Sequence, residues 1–164
     1  MFSPLSPSFK RLARRAVVSA LVVSFASVAW SHGDVVPQSV DTSTLPQLGP
    51  KWRDANPYSS GEGHKEALRI GTSAYNQNCA RCHGLEAISG GMSPDLRKLD
   101  NECTGLADAS KKEMCFNEMS DFYAATVRRG RVRDGRVYMP PFEGTLTQEA
   151  VWAIKTYLET RREP

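Results

Sequence analysis

Several patterns that would assign the chain to a familiar class are missing from its sequence. No segment alternates apolar and polar residues over any length, which argues against a domain built on β-sheets. The longest apolar run, from Ala16 to Trp30, is broken by serines and is short for a membrane span of about 20 residues. The first 31 residues contain no acidic residue but hold four of the 21 Lys and Arg residues. Without them the chain is close to neutral, so its basic excess does not indicate nucleic-acid binding.

Those first 31 residues have the order of a secretory signal peptide. Basic residues from Lys10 to Arg15 precede the apolar run, and small residues occupy positions 27, 29 and 31. Cleavage after Ala29 and cleavage after Ser31 both fit this pattern, and an uncleaved membrane anchor stays open as an alternative. We expect residues 1–31 to be the signal peptide of a periplasmic protein that has no stable membrane insertion after cleavage.

Cysteine is scarce, and two of the four cysteines belong to the most informative motif of the chain. Cys79, Cys82 and His83 form a Cys-x-x-Cys-His sequence, the attachment pattern of c-type haem. Two thiols on one helical turn can add to the two vinyl groups of a haem, and the adjacent imidazole can bind its iron. A zinc knuckle would need two more ligands at ligand spacing, and a redox dithiol would need a βαβ unit. The motif therefore predicts one covalent haem c, attached to Cys79 and Cys82, with His83 as an iron ligand.

The other two cysteines, Cys103 and Cys115, lie outside this motif. In an oxidising compartment such a remaining pair indicates a disulfide, and two free thiols are the alternative. The segment between them is polar and contains Gly105, and a short helical pattern runs from about Ser110 to Met114. We expect residues 101–118 to form a disulfide-stapled insertion on the surface.

Residues 32–65 have the composition of an extended arm that precedes the haem motif. Pro, Ser, Thr and Gly are frequent in this segment, and apolar periodicity is almost absent. Trp52 and Tyr58 are the large side chains that could anchor it. We expect the haem-binding domain itself to occupy residues 66–164.

Within that domain the apolar spacing predicts helices. Helical spacing begins near Lys65 and runs into the haem motif. A second helix is predicted from Met119 to about Arg129, with Val127 on its apolar side. A last helix follows Thr147, which is a good N-cap, and carries Ile154 and Leu158 at core spacing. The domain is therefore predicted to be all-α with long loops.

Residues 66–162 resemble a class I monohaem cytochrome c in the order of first helix, haem motif, Gly/Pro loop, methionine loop and last helix. In that family the first and last helices cross where a small residue faces an aromatic one. Gly71 and Tyr75 in the first helix, and Trp152 and Tyr157 in the last, match that pattern. The resemblance implies the all-α class I cytochrome c fold, with helices wrapped around a covalent haem.

Met139, within the sequence Tyr-Met-Pro-Pro-Phe, matches the methionine loop of this family. A thioether is a soft, neutral ligand that favours ferrous iron, and the two following prolines stiffen the loop. The resemblance implies that Met139 is the second axial ligand of the iron. The alternatives are a core role for Met139 with another methionine or histidine as ligand, namely Met92, Met114, Met119, His32 or His64.

The Ser-Pro-Asp-Leu sequence at residues 93–96 matches the family loop that lies beside the axial histidine. The resemblance implies that the carbonyl of Pro94 accepts a hydrogen bond from His83 and fixes its tautomer. It also implies that Leu96 packs on the haem ring. The insertion that follows departs from the small mitochondrial type of the family.

A cluster of arginines precedes the methionine loop and consists of Arg128, Arg129, Arg131, Arg133 and Arg136. One interpretation is a solvated hairpin in which one arginine pairs with a haem propionate. The other is a docking surface that steers an acidic partner to the haem edge. The docking interpretation assigns Arg128, Arg129 and Arg131 to partner contact.

A haem iron with histidine and methionine ligands has no open position for a substrate, which predicts single-electron transfer rather than an enzyme. The arm, haem motif and disulfide insertion together resemble the soluble cytochrome c that serves periplasmic quinoprotein alcohol dehydrogenases. That resemblance implies a PQQ-dependent alcohol dehydrogenase as electron donor and a terminal oxidase or another cytochrome as acceptor. The alternatives are a haem enzyme or gas sensor with a labile sixth ligand, and a subunit bound permanently to a dehydrogenase.

Overall fold

The computed structural model describes residues 36–91 and 93–163. The expected signal peptide lies outside the described residues, as do His32 and Met92. The described part is mostly helical, as predicted, and its elements follow in the order α1 (His64–Asn78), α2 (Ala80–His83), α3 (Asn101–Thr104), α4 (Ala109–Arg129), β1 (Arg131–Arg133), β2 (Arg136–Met139) and α5 (Gln148–Glu159). Short 3-10 turns cover Leu85–Ala87 and Leu96–Lys98. Among the helices of this part, none combines the length and apolar character of a membrane span.

Helices α1 and α5 cross at Gly71, as the resemblance implied, but Gly71 faces the backbone of Ala153 rather than an aromatic side chain. A Cβ atom at Gly71 would overlap the carbonyl oxygen of Ala153, so glycine is needed for this close approach. The rings of Tyr75 and Tyr157 pack with their centroids 5.0 Å apart. Trp152 is fully buried and packs near α4 instead. Almost every residue of α5 is buried, so this helix forms the centre of the core.

Helix α5 begins after Thr147, as predicted, because the Thr147 hydroxyl accepts a hydrogen bond from the Ala150 N–H at 3.2 Å. This cap satisfies a backbone donor that the first helical turn would otherwise leave without a partner. The first turn of α5 has a further role, because its side chains also hold the segment that precedes α1.

That preceding segment, residues 36–63, packs against the core and contains no helix or strand in its described length. Leu45 and Tyr58 bury their side chains in the core. Gln148 and Glu149 accept hydrogen bonds from backbone amides of the segment at 2.7 and 2.9 Å. The segment is therefore extended, as its composition predicts, but it belongs to the same compact unit as the helices.

Helix α4 is longer than the sequence analysis predicted. It begins at Ala109 rather than Met119, because the side chain of Asp108 accepts a hydrogen bond from the Lys111 N–H at 2.9 Å and caps the helix. The apolar spacing used for the prediction is present only in the second half, where α4 faces the core. The first half is polar and solvent-exposed on most sides, so the sequence shows only a short helical pattern there, from Ser110 to Met114.

The predicted disulfide between Cys103 and Cys115 is present and joins α3 to α4. Cys103 is completely buried, whereas much of the surrounding insertion is exposed. Residues 101–118 are helical apart from residues 105–108. The insertion is thus a pair of helical pieces held side by side rather than a loop.

Strands β1 and β2 form a short antiparallel hairpin that interrupts the otherwise helical domain. Val132 pairs with Val137, and the side chains of both residues are exposed. Asp134 and Gly135 form the turn with φ angles of 49° and 71°, which matches the left-handed backbone of a tight hairpin. Strands of three and four residues are too short to show apolar alternation, so the periodicity did not reveal them.

Candidate functional site

The Cys-x-x-Cys-His motif forms the single helical turn α2, directly after α1. The backbone N–H groups of Cys82 and His83 both donate to the carbonyl of Cys79, at 3.1 and 2.9 Å. Gly84 then ends the turn with a φ of 78°, and a Cβ atom there would overlap the carbonyl oxygen of Ile88. Neither of the two cysteines takes part in a disulfide within the described residues. This local geometry keeps both thiols and the imidazole within one turn of backbone.

Beside this turn lies a largely apolar crevice with a volume of about 250 Å³. The crevice brings together Cys79, His83 and Met139, which come from separate parts of the chain. A smaller cavity that shares these three residues also includes Cys82. The other wall residues of the crevice are Ser93, Pro94, Leu96, Leu99, Phe122, Tyr123, Thr126, Val127, Arg131, Tyr138, Ile154 and Leu158.

The character of this wall fits a flat hydrophobic group such as a haem. Burial, and to a smaller extent the charge of Cys82, raises the pKa of Cys79 to about 12, so the thiol is neutral. Burial also raises the pKa of Tyr123 well above its usual value, and its hydroxyl donates to the carbonyl of Val151 at 3.0 Å. Arg131 is the one permanently charged side chain among the wall residues that the structure describes. A thioether is neutral as well, so attachment at Cys79 places no charge in this wall.

The His83 side of the crevice is formed by residues 93–100, here called the proximal loop. The Nδ1 atom of His83 lies 2.9 Å from the carbonyl oxygen of Pro94. When Nδ1 carries the proton and donates it to this carbonyl, Nε2 has a free lone pair for a metal. Asp95 accepts a hydrogen bond from the Arg97 N–H at 3.1 Å, which starts the 3-10 turn of the loop. The pair of residues that the resemblance placed in contact, His83 and Pro94, is therefore in contact.

A buried group of charges anchors the end of the proximal loop at Asp100. Lys155 donates to this carboxylate at 3.0 Å, and Arg162 donates to both of its oxygens at 2.9 and 2.7 Å. The side chains of Asp100 and Lys155 are only 2% and 3% exposed. Burial raises the pKa of Asp100, but the hydrogen bonds from Arg162 and the charge of Lys155 outweigh that effect and lower it. The ionised carboxylate thus ties the proximal loop to α5 and to the residues that follow it.

The Met139 side of the crevice is formed by residues 139–146, here called the distal loop. The backbone N–H groups of Phe142 and Glu143 donate to carbonyls in the last turn of α4, both at 3.1 Å. Gly130, which follows α4, has a φ of 68°, and a Cβ atom there would overlap the carbonyl oxygen of Met139. The distal loop therefore lies in close backbone contact with the end of α4.

The alternative iron ligands lie elsewhere or outside the described residues. Met114 is exposed on α4, and Met119 is absent from the walls of the crevice. His64 begins α1, where its ring is hydrogen-bonded to a backbone carbonyl of the preceding segment at 2.7 Å. Met92 and His32 are outside the described residues. Among the described candidates, Met139 alone lines the crevice with His83.

The three arginines predicted for partner contact occupy different environments. Arg131 lines the mouth of the crevice, and Arg129 is exposed at the end of α4. Arg128 is instead paired with Glu143 and lies over the ring of Trp52. The structure therefore brings Arg131 to the crevice, leaves Arg129 open to solvent and uses Arg128 within the fold.

Sequence reasoning did not identify several wall residues as part of the site. Val127, Ile154 and Leu158 were predicted only as core positions of their helices. Helical spacing shows which face of a helix points inward, but it does not distinguish a protein core from the wall of a cofactor crevice. Leu99 and Tyr138 had no such pattern, although each lies next to or near a predicted site residue in the sequence.

Comparison with known proteins gives one matching family model and several curated relatives. Residues 66–158 match the family described as cytochrome C oxidase, cbb3-type, subunit III. The chain is 48% identical to cytochrome c550 of Pseudomonas aeruginosa over 139 residues, which cover 84% of this chain and 86% of that protein. No solved structure gives a significant match.

Two further relatives are much longer proteins. Over 95 residues, or 58% of this chain, the sequence is 36% identical to quinohemoprotein alcohol dehydrogenase ADH-IIG of Pseudomonas putida. Over 96 residues it is 31% identical to quinohemoprotein alcohol dehydrogenase ADH IIB of the same species. In each case the match covers only 11% of the longer protein.

Proposed function

This chain belongs to the cytochrome c family of electron carriers with covalently bound haem c, and we propose that it carries single electrons away from a PQQ-dependent alcohol dehydrogenase in the periplasm. The observation that carries the proposal is the apolar crevice in which the attachment motif and Met139 meet. Bound haem c supplies a one-electron iron couple at this position. The residues of the chain attach the haem, bind its iron and surround it with apolar side chains.

We assign the two thioether bonds to Cys79 and Cys82 and the two axial positions on the iron to His83 and Met139. The single turn α2 supports the first three assignments, since it holds both sulfurs and the imidazole together. The crevice supports the fourth, since Met139 and His83 both line it. A thioether ligand raises the reduction potential relative to a second imidazole, which suits a carrier that must accept electrons readily.

Pro94 and Leu96 have supporting roles in this proposal. The hydrogen bond from His83 to the carbonyl of Pro94 keeps Nε2 free for iron and makes the imidazole a stronger donor. Leu96 lines the crevice, where its apolar side chain would cover a bound haem ring. Both residues belong to the proximal loop, so the loop acts through His83 rather than through chemistry of its own.

Two protein ligands leave the iron no open position, which is why we propose a carrier and not an enzyme. The test is the visible spectrum of the holoprotein, oxidised and reduced, with and without carbon monoxide. We expect a low-spin haem, the weak far-red band of ferric iron bound to methionine, and no shift with carbon monoxide. Met139→Leu should abolish the far-red band, and the matched variant Met119→Leu should keep it.

A high-spin spectrum, or a clear shift with carbon monoxide, would contradict this assignment. Such a result would favour a haem enzyme or a gas sensor with a labile sixth ligand. If Met119→Leu lost the far-red band instead, the ligand would have to be reassigned to α4.

The similarity to a short part of two quinohemoprotein alcohol dehydrogenases supports the proposed donor. In a separate carrier, the same type of domain would take electrons from a quinoprotein that lacks it. The signal-like first 31 residues and the disulfide between Cys103 and Cys115 support a periplasmic site, because disulfides persist in oxidising compartments. A terminal oxidase or another cytochrome is the proposed acceptor.

We place the contact with the dehydrogenase at the hairpin beside the crevice. Arg131 lines the crevice mouth, Arg129 is exposed next to it, and the side chains of Val132 and Val137 are 67% and 64% exposed. Basic side chains around an apolar patch favour an acidic partner surface and speed the encounter at low salt.

Arg128 is excluded from this surface because its charge is paired with Glu143. Arg131 donates to the Thr126 hydroxyl and lies over the Phe122 ring, but it forms no ion pair within the described residues.

The test is the rate at which a purified PQQ-dependent alcohol dehydrogenase reduces the ferric holoprotein at several salt concentrations. Arg129→Glu with Arg131→Glu should slow reduction by about tenfold at low salt, and the difference should shrink as salt screens the charges. Lys65→Glu with Lys111→Glu makes the same change of charge in α1 and in the first turn of α4, away from the hairpin, and serves as the control. Equal low-salt rates for the two double variants would contradict docking at the hairpin. If the dehydrogenase reduced neither the wild type nor the variants, the assignment of a PQQ-dependent alcohol dehydrogenase as electron donor would be wrong.

A further inference from the structure

A stack of three side chains connects the extended segment, α4 and the distal loop. The guanidinium of Arg128 lies over the ring of Trp52, 4.3 Å from its centroid. The same guanidinium donates to Glu143, through Nε at 3.1 Å and through a shorter contact from Nη2. We call these residues, Trp52, Arg128 and Glu143, the distal stack.

The distal stack acts on the part of the distal loop that follows Met139. The backbone N–H of Glu143 donates to the carbonyl of Arg128 at 3.1 Å, so the two residues are joined through both backbone and side chains. Phe142 is buried, and its carbonyl accepts from the N–H groups of Thr145 and Leu146 at 3.0 and 2.9 Å. The loop is thus a compact turn attached to α4, and it begins at Met139, which also ends β2 and pairs there with Arg131.

Arg128 is not free for other contacts. Its side chain is 24% exposed, its charge is balanced by Glu143, and one face of its guanidinium is covered by Trp52. Trp52 itself is partly buried against the core. An arginine that is covered on one face and paired at its end serves the fold rather than a docking partner.

We propose that Trp52 and Arg128 are positioning residues for Met139, and that the distal stack keeps the distal loop closed with the thioether on the iron. This inference rests on the proposed function, because it takes Met139 as the axial ligand. It gives the extended segment a role beyond covering the core. Trp52 lies far from Met139 in the sequence, yet it controls how often Met139 leaves the iron.

The experiment measures how tightly external imidazole binds the ferric holoprotein, because imidazole can bind only when Met139 has left. The apparent affinity is the intrinsic affinity multiplied by the open fraction of the loop. Loss of one cation–π contact and one ion pair should raise that fraction, and hence the affinity for imidazole, by about tenfold in Arg128→Leu. Trp52→Leu should raise it by a smaller factor, since the ion pair remains.

Arg69→Leu is the matched control. It removes the same charge from an exposed position of α1, together with the ion pair that Arg69 forms with the half-buried Glu66. It should leave imidazole affinity unchanged. Arg128→Lys keeps the charge without the planar guanidinium and should give an intermediate affinity. The double variant Trp52→Leu with Arg128→Leu should increase imidazole affinity by less than the product of the two single increases, because both substitutions break the same stack.

Equal imidazole affinities for Arg128→Leu and Arg69→Leu would overturn the proposal. If Arg128→Leu does not fold, Arg128→Lys and Trp52→Leu decide the question by the same comparison. The far-red band separates this outcome from failure of the ligand assignment. A wild-type protein without that band would overturn the assignment of Met139 and the distal stack together, whereas a wild-type band with unchanged imidazole affinities would overturn the distal stack alone.

Discussion

The proximal and distal loops flank the same crevice, but the charged contacts that hold them differ in burial. On the proximal side, Asp100 and Lys155 are almost completely buried, and Arg162 completes the hydrogen bonding of the carboxylate. On the distal side, Glu143 is 54% exposed and Arg128 24% exposed. The histidine side is therefore joined to the core, whereas the methionine side is closed by contacts within reach of solvent.

This difference has a direct consequence for ligand exchange at the iron. Breaking a buried ion pair by removing one partner leaves an uncompensated charge, which is much more costly than breaking an exposed pair. Local opening follows the weaker contacts of a fold. We therefore expect the proximal loop to open only with global unfolding, and the distal loop to open while the rest of the domain stays folded.

Asp100→Ala gives the largest expected effect. The substitution removes the nearer of two carboxylates beside the buried Lys155 and leaves Glu159 at 3.7 Å. It should therefore reduce the free energy of unfolding by about 3 kcal/mol, the lower end of the loss for a broken buried ion pair. Urea unfolding of the ferric holoprotein measures it. Asp121→Ala, at an exposed position of α4, is the control and should change the free energy by less than about 0.5 kcal/mol. A loss below about 1 kcal/mol for Asp100→Ala would mean that the proximal loop is held no more firmly than the distal loop.

The pH dependence of stability sharpens this result. Because the pKa of Asp100 is lower in the folded protein than in the unfolded chain, its contribution is present above the unfolded value of about 3.9 and is lost as pH falls through the folded value. Wild type should therefore lose stability more steeply below about pH 4 than Asp100→Asn, which cannot ionise there. Parallel stability curves for the two proteins over this range would contradict a depressed pKa of Asp100.

Removal of the disulfide tests the same side of the molecule. Cys103→Ser with Cys115→Ser frees α3, which directly follows Asp100, and should cost about 3 kcal/mol in the chain-entropy account. Urea unfolding of the double variant measures the loss, while the far-red band should stay unchanged. Wild type treated with dithiothreitol is a second route to the same state, because thioether bonds to haem are not reduced. A weakened far-red band in the double variant would show that the proximal side also controls Met139.

Gly130→Ala tests the distal side, at the contact between the end of α4 and Met139. Alanine at this position would have to keep the left-handed φ of 68°, and its Cβ would overlap the carbonyl oxygen of Met139. Together these effects should reduce the free energy of unfolding by about 1–3 kcal/mol. Gly135→Ala is a matched control, because Gly135 has a φ of 71° but open space where its Cβ would lie. Only Gly130→Ala should also weaken the far-red band, and equal spectra for both variants would mean that the overlap does not reach the ligand.

The parts of this site that the sequence predicted are those encoded by neighbouring residues. The motif from Cys79 to His83 and the cap at Thr147 each depend on residues within one helical turn, so their geometry follows from local spacing. The contact between His83 and Pro94 followed from a family resemblance, because nothing in the spacing alone requires it.

The parts that could not be predicted join residues far apart in the chain. Arg128 carries the same charge as Arg129 and stands next to it, yet only Arg128 meets Glu143 and Trp52. That distinction depends on how the extended segment and the distal loop pack at the end of α4. The start of α4 was predicted too late for another reason, because the short helical pattern at residues 110–114 was not joined to the helix predicted from Met119. Its polar first half faces solvent, and Asp108 was the signal that could have marked it.

Glu143→Gln gives the smallest expected change in global stability and the sharpest contrast with Asp100. The exposed ion pair with Arg128 contributes less than about 1 kcal/mol, and the glutamine keeps an oxygen that can still accept from the guanidinium. Urea unfolding should therefore show a small loss at low salt and none at high salt, where the pair is screened. Because the stack over Trp52 survives, the far-red band should persist at both salt concentrations. A loss as large as that of Asp100→Ala would mean that burial does not distinguish the two loops, and that the methionine side is joined to the core as firmly as the histidine side.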